Sequence, residues 1–219
     1  MLSAAVTTGL GAAPPWSSWE PAPGSTAAVS RQIAAHVEGE YRVTAGGGPL
    51  VAVVANRPEV RVGKRSYELS YIAARARNGE LRSMATATTW MYELCGRGPH
   101  CSIPGTASLL RGRLVRREAL ELALDTFEFV PSIGSVAVIL PPPPGLSVNT
   151  LLYLERTSLR AQLSRPLDKT LTSVQTPLPD DPDAAEAATI DRLTALADDS
   201  YFVQGLADGT AVITLELIG

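Results

Sequence analysis

Thiols, imidazoles and carboxylates carry most of the chemistry a side chain can perform, and in this chain the first two are scarce and clustered. Both cysteines, Cys95 and Cys101, and one of the two histidines, His100, fall within residues 90–104 (WMYELCGRGPHCSIP). Three chemistries compete for that stretch. A disulfide between Cys95 and Cys101 would close a small loop, which Gly96, Gly98 and Pro99 make easy to turn, provided the Cα atoms approach to roughly 4.4–6.8 Å. Such a bond implies an oxidising compartment. Two free thiols are the second possibility. A metal centre is the third: Cys95, His100 and Cys101 offer three ligands, but a closed zinc site takes four. Only His36 or a carboxylate remains to complete it, and adjacent His100 and Cys101 sit awkwardly on one tetrahedral ion. The spacing favours the disulfide.

Catalytic sets are harder to assemble. A cysteine nucleophile needs a base within reach, and His100 is the immediate neighbour of Cys101, a position from which side chains usually diverge. No G-x-S-x-G occurs, and His36 and His100 are the only candidate imidazole bases. Glu118, Glu121 and Asp125 follow one another at helical spacings of three and four, as a general acid/base pair could. They are interleaved with arginine on an amphipathic pattern, which reads as a solvated face, and Arg117 with Glu121 reads as an exposed i,i+4 pair. Asp180, Asp181 and Asp183 could hold calcium weakly, but they lack the twelve-residue loop with its closing Glu. No catalytic, cofactor-binding or metal residue is therefore assigned; the site expectation is the Cys95–Cys101 bond, and no cofactor is expected.

The elements that would position these residues can be read from periodicity. Val29, Ile33, Val37 and Tyr41 recur every four residues and predict a helix over 26–41, capped by Ser25 or Ser30. His36 lies beside that stripe, as a boundary histidine rather than a ligand. Gly46-Gly47-Gly48 precedes the apolar run LVAVVA (50–55), not a helix, so it is a turn and no phosphate cradle. LVAVVA itself reads as a central strand because it is apolar on both faces. Extended pieces follow over 57–62, 67–75, 80–85 and 86–94, with Asn78-Gly79 as a hairpin turn. A long helix capped by Thr106 or Ser108 runs to about Phe129. SVAVIL (135–140), four prolines, and TLLYLE (150–155) form the next hairpin. A short helix over 159–164, a Pro-rich acidic loop over 176–183, a helix over 184–197 and a hairpin turning at Asp208-Gly209 complete the chain. Helices interspersed among antiparallel pairs predict an α+β fold: a mostly antiparallel sheet, one long packed helix and several shorter ones. One parallel crossover is expected, from strand 86–94 through the long helix to SVAVIL.

Composition narrows the setting. The 219 residues are 45% hydrophobic and 19% charged, enough apolar matter for a core and against wholesale disorder. The net charge of −3 shows none of the basic excess that nucleic-acid binding needs. Of the 19 basic residues only Lys64 and Lys169 are lysines, which fits a GC-rich coding bias. No apolar run approaches the roughly 20 residues of a membrane span. Residues 1–25 read as a Pro/Ser/Gly-rich tether that could be the end of a membrane or signal segment, and 26–219 as one α+β domain. Trp16 and Trp19 in the tether could anchor at a membrane interface or dock back on the domain.

The run WMYELCGRGPHCSIPGTASLLRGRLVRREALELALDTFEFVPSIGSVAVILPPPPG, with WSSWEPAPGSTAAVSRQIAAHV before it and SLRAQLSRPL after it, resembles a group of uncharacterised actinobacterial proteins over residues 16–171. The resemblance implies a membrane helix, a Pro-rich tether and one extracytoplasmic α+β domain; no activity comes with it. This chain departs from that pattern at its start, where a full membrane helix is lacking. The expected function is a non-enzymatic extracytoplasmic domain, membrane-anchored or secreted, that binds a protein or a cell-envelope component and no nucleic acid. A small hydrolase, or a cytosolic regulatory domain, is the alternative.

Overall fold

The computed structural model describes residues 15–42, 47–56, 58–62, 65–75, 79–145, 149–174, 184–195 and 198–217. Asp180, Asp181, Asp183 and the Pro-rich acidic loop lie outside the described residues, as does Gly46 of the glycine turn.

Among the described residues, four α-helices and nine strands follow in the order α1 (Thr26–Glu40), β1 (Ala52–Asn56), β2 (Glu59–Val62), β3 (Arg65–Arg75), β4 (Leu81–Met84), β5 (Thr89–Cys95), α2 (Leu109–Phe129), β6 (Ser135–Leu140), β7 (Thr150–Glu155), α3 (Arg160–Leu163), α4 (Ala184–Thr194), β8 (Asp198–Gly205) and β9 (Ala211–Leu217). Ser25 caps α1 by accepting from the Ala28 amide (3.3 Å), and Ser108 caps α2 by accepting from the Arg111 amide (3.2 Å). Each cap supplies a side-chain acceptor for an amide that has no partner inside its own helix.

The strands join in one sheet of order β1-β5-β6-β7-β8-β9-β3-β2, with β4 on the free side of β3. The expected hairpins β3–β4, β6–β7 and β8–β9 are antiparallel, and the crossover β5–α2–β6 is parallel. A second parallel ladder, β3 on β9, joins the two halves of the chain. The sheet is thus mixed, which corrects the expectation of a mostly antiparallel one; pairing between strands so far apart in sequence leaves no turn signal to read.

Strands β5, β6 and β7 are apolar on both faces because both are covered. Trp90, Tyr92, Leu94, Val136, Val138, Leu152 and Leu154 face the helices in the main core. Met91, Ala137 and Leu151 face the other way, into a second core shared with Val60, Leu69, Ile72, Met84, Tyr201, Ile213 and Leu215. Those contacts require the β8-β9-β3-β2 half to curl back over β5–β7, so the sheet is nearly closed, like a barrel. Among the described residues no helix covers the outer face of the curled half, and Tyr71, Leu81 and Phe202 are exposed on it. The run LVAVVA, expected in the centre of the sheet, supplies an edge strand instead. Val53 and Ala55 pack under the helices while Val54 stays 43% exposed.

Candidate functional site

β5 delivers the chain to the cysteine loop, and the loop is built by its own backbone. The Gly96 amide donates to the Cys101 carbonyl (2.7 Å) and the Gly98 amide to the Ser102 carbonyl (2.8 Å). A Cβ at Gly96 would collide with the Ser102 carbonyl, so glycine is required there for close approach. His100 and Cys101 take left-handed backbone (φ 54 and 63). The two sulfurs come to disulfide distance, 2.03 Å, with Cα atoms 4.4 Å apart. His100 is exposed on the outside of the turn. The loop therefore brings Cys95 and Cys101 together and leaves His100 and His36 elsewhere. Among the described residues no three His, Cys, Asp or Glu side chains form a group that could hold a metal ion.

Beyond the loop, Ile103 turns into a cleft of about 170 Å³ between the start of α2 and the end of β6. Ile103, Val115, Leu140 and Pro141–Pro144 give it apolar walls, and Arg111 and Arg116 line it from α2. The prolines carry no N–H, so that wall offers no backbone donor. Arg111 spends one Nη on the Pro104 carbonyl (2.8 Å) and Arg116 donates to Asp191 Oδ1 (2.7 Å). Arg113 grips the same carboxylate, with Nη2 2.7 Å from Oδ2. One carboxylate thus answers two guanidiniums, and those hydrogen bonds hold the Asp191 carboxyl below its usual range. The first turn of α2 contains no acidic residue, although the positive end of a helix favours one. The cleft is apolar in body and cationic at one side, a form that suits an anionic group carried on an apolar moiety.

The carboxylates read as surface decoration are in the interior, which corrects that reading. Glu118 is 0% exposed, Glu121 5% and Asp125 2%, and Arg117 beside them 4%. Burial continues all round α2 from Arg117 to Phe127 because α1, the sheet and α4 close on it from different sides. The Arg117–Glu121 pair is accordingly a buried one: Nη1 lies 3.0 Å from Oε2. The Tyr41 hydroxyl donates to the same oxygen (2.6 Å), and Arg117 also donates to that hydroxyl and to the Thr172 carbonyl. Arg117 Nη2 reaches Glu186 Oε1 of α4 at 3.0 Å, and Glu186 accepts from the Thr172 amide and hydroxyl as well. One guanidinium therefore ties α2 to α4 and to the end of α1.

Glu118 and Asp125 are outside that network. Among the described residues, neither Glu118 oxygen has a partner, nor does Asp125 Oδ1. Burial raises both carboxyls well above their usual range, and the neighbouring Glu121 raises both further. Burial also raises Glu121 and Glu40, against the pull of Arg117. These groups can hold protons, but neither the cleft above nor a smaller one lined by Asn56, Glu59, Ser66 and Glu93 reaches them.

Trp16 and Trp19 dock on the domain. Both meet the Phe129 ring edge-on, at 5.9 and 5.8 Å. Trp19 also stacks on His36 at 4.0 Å, and His36 Nε2 lies 3.6 Å from Glu40. His36 is thus a boundary residue that joins the N-terminal strap to α1.

Sequence reasoning missed the cleft and the Arg117 network. A signal for the first exists: Arg111, Arg113, Arg116 and Arg117 crowd a helix start where acids are preferred, and tetraproline follows the next strand. Tyr41 gave no such signal, since its spacing marks it as core.

No protein-family model, no curated protein and no solved structure matches the chain. The resemblance to the actinobacterial group rests on the quoted residues alone.

Proposed function

We propose that this protein is an extracytoplasmic binding domain whose ligand seat is the cleft between α2 and the tetraproline. The ligand is an anionic group, carboxylate or phosphate, on an apolar body, presented by a partner protein or an envelope component. The observation that carries the reading is the pairing of Arg111 and Arg116 with Ile103, Leu140 and Pro141–Pro144 around one opening. A guanidinium offers planar, paired donors to such oxyanions, and the apolar wall selects for the body that bears them. The compartment is supported by Cys95 and Cys101 at disulfide distance. No described helix is long and apolar enough to cross a membrane.

Two measurements test it. Calorimetric titration with medium-chain carboxylates and alkyl phosphates should show saturable binding that Arg111→Ala weakens at least about tenfold, the scale of one lost charge-assisted hydrogen bond. Binding unaffected by that substitution, or no binding, would overturn the assignment of the seat. For the compartment, protein taken from its native host should resist thiol labelling; two freely labelled cysteines would sink the oxidising assignment.

A further inference from the structure

The carboxyls packed between α1 and α2 do not belong to the cleft and take no part in the proposed binding. Among the described residues, Glu118 has both oxygens without a partner at 0% exposure, and Asp125 has one at 2%. Leaving an ionised carboxylate in such a place without a hydrogen bond is among the most costly arrangements a fold can hold; a protonated one is far less so.

We infer that the α1–α2 seam is a proton-operated latch, closed while Glu118 and Asp125 hold protons and loosened when they give them up. The groups around them show why two negative charges would not be tolerated. From α1 and its end come His36, Glu38, Glu40 and Tyr41; from α2 itself come Arg117, Glu121 and Glu128. β5 contributes Tyr92, whose hydroxyl pairs with Thr126 (2.7 Å), and α4 contributes Glu186, already engaged by Arg117. Arg156, after β7, answers Glu128 and lies over the Phe127 ring. β6 offers no titratable side chain; on β7, Tyr153 packs in the second core and Glu155 pairs with Arg82. In α3, Arg160 is exposed. Arg117 is the cation at the seam, and it is committed to Glu121 and Glu186.

The part such a latch would release is the N-terminal one. Val29, Ile33 and Val37 hold α1 on the core, and Trp19 bridges the seam by touching His36 on one helix and Phe129 on the other. New charge on Glu118 and Asp125 repels Glu121 and the acidic end of α1, and draws water into the seam. His36 works in the opposite sense: burial lowers it, so it is already neutral at neutral pH and above. The direction of the response is set by the carboxyls.

Hydrogen exchange of the full chain across neutral to alkaline pH tests this. Protection of the α1 amides, corrected for intrinsic exchange, should fall by up to about tenfold per pH unit for each carboxyl that titrates. Glu118→Gln with Asp125→Asn should make the profile flat. Wild-type protection independent of pH, or the same slope in the double variant, would overturn the latch. If the double variant does not fold, infrared spectroscopy of the wild type decides. Protonated-carboxyl bands at neutral pH that vanish with the midpoint of the exchange profile support the latch, and a spectrum of carboxylates alone refutes it.

Discussion

A buried charge is worth what surrounds it, and α2 holds both cases one residue apart. Arg117 is 4% exposed and fully engaged, with Glu121, Glu186, Tyr41 and the Thr172 carbonyl as partners. Removing it leaves two buried carboxylates without their cation, so Arg117→Met should cost about 3–5 kcal/mol in urea unfolding. Glu118 is the opposite case. A side chain with no partner loses nothing when replaced, and Glu118→Met should stabilise by about 1–3 kcal/mol at alkaline pH, the penalty of an unsatisfied buried group. The pH profile has a definite sign. Glu118 and Asp125 have folded-state values raised above those of the unfolded chain. Their stabilisation is complete below the ordinary carboxyl range and is lost as pH rises through the folded values. Asp191 is lowered, so its contribution is present above the ordinary Asp value and lost as pH falls through the folded one. Urea midpoints should therefore decline as pH rises above the ordinary carboxyl range and also toward strong acid, and Glu118→Met should flatten the alkaline limb.

Among the elements, α2 organises the rest. It leaves β5 through the cysteine loop, packs on α1 and α4, and returns the chain to β6 beside β5. Its first two turns are partly exposed and line the cleft, while the stretch from Arg117 to Phe127 is buried. The Ser108 cap sits at the opening of that cleft. Ser108→Ala should cost about 1 kcal/mol in thermal or urea unfolding, the usual value for a lost N-cap. The same substitution should leave the α1 exchange profile unchanged, since the seam lies further along the helix.

At the scale of the molecule, the sheet divides the protein into two cores. The main core lies between β5–β7 and the helices; the second lies inside the curled half of the sheet. The cysteines stand six positions apart at the junction of sheet and main helix. In the chain-entropy account, opening so short a loop costs about 2 kcal/mol. Cys95→Ala with Cys101→Ala should lower stability by that amount and leave a folded protein, because the cores do not depend on the pair. Ligand affinity should fall as well, since Ile103, a cleft residue, follows directly after the loop.

Local order was legible in advance wherever it depends on neighbours in the chain. The helix caps, each expected at one of two candidate residues and found at Ser25 and Ser108, the hairpin turning at Asp208-Gly209 and the closeness of Cys95 to Cys101 follow from residues within a few positions of one another, and the β5–α2–β6 crossover from the order strand, helix, strand. Three features were not legible. LVAVVA reads as central because apolarity on both faces is the only local signal, and whether a neighbour strand covers Val54 depends on distant pairing. The β3–β9 ladder that turns an antiparallel plan into a mixed, curled sheet joins segments with no connecting turn. Glu118, Glu121 and Asp125 have the spacing of a solvated stripe, and only the packing of α1 and α4 decides that they are inside. Burial is a property of what arrives from elsewhere in the chain, so the chemistry of those carboxyls, and the assembly of the arginine–proline cleft, belongs to the tertiary structure alone.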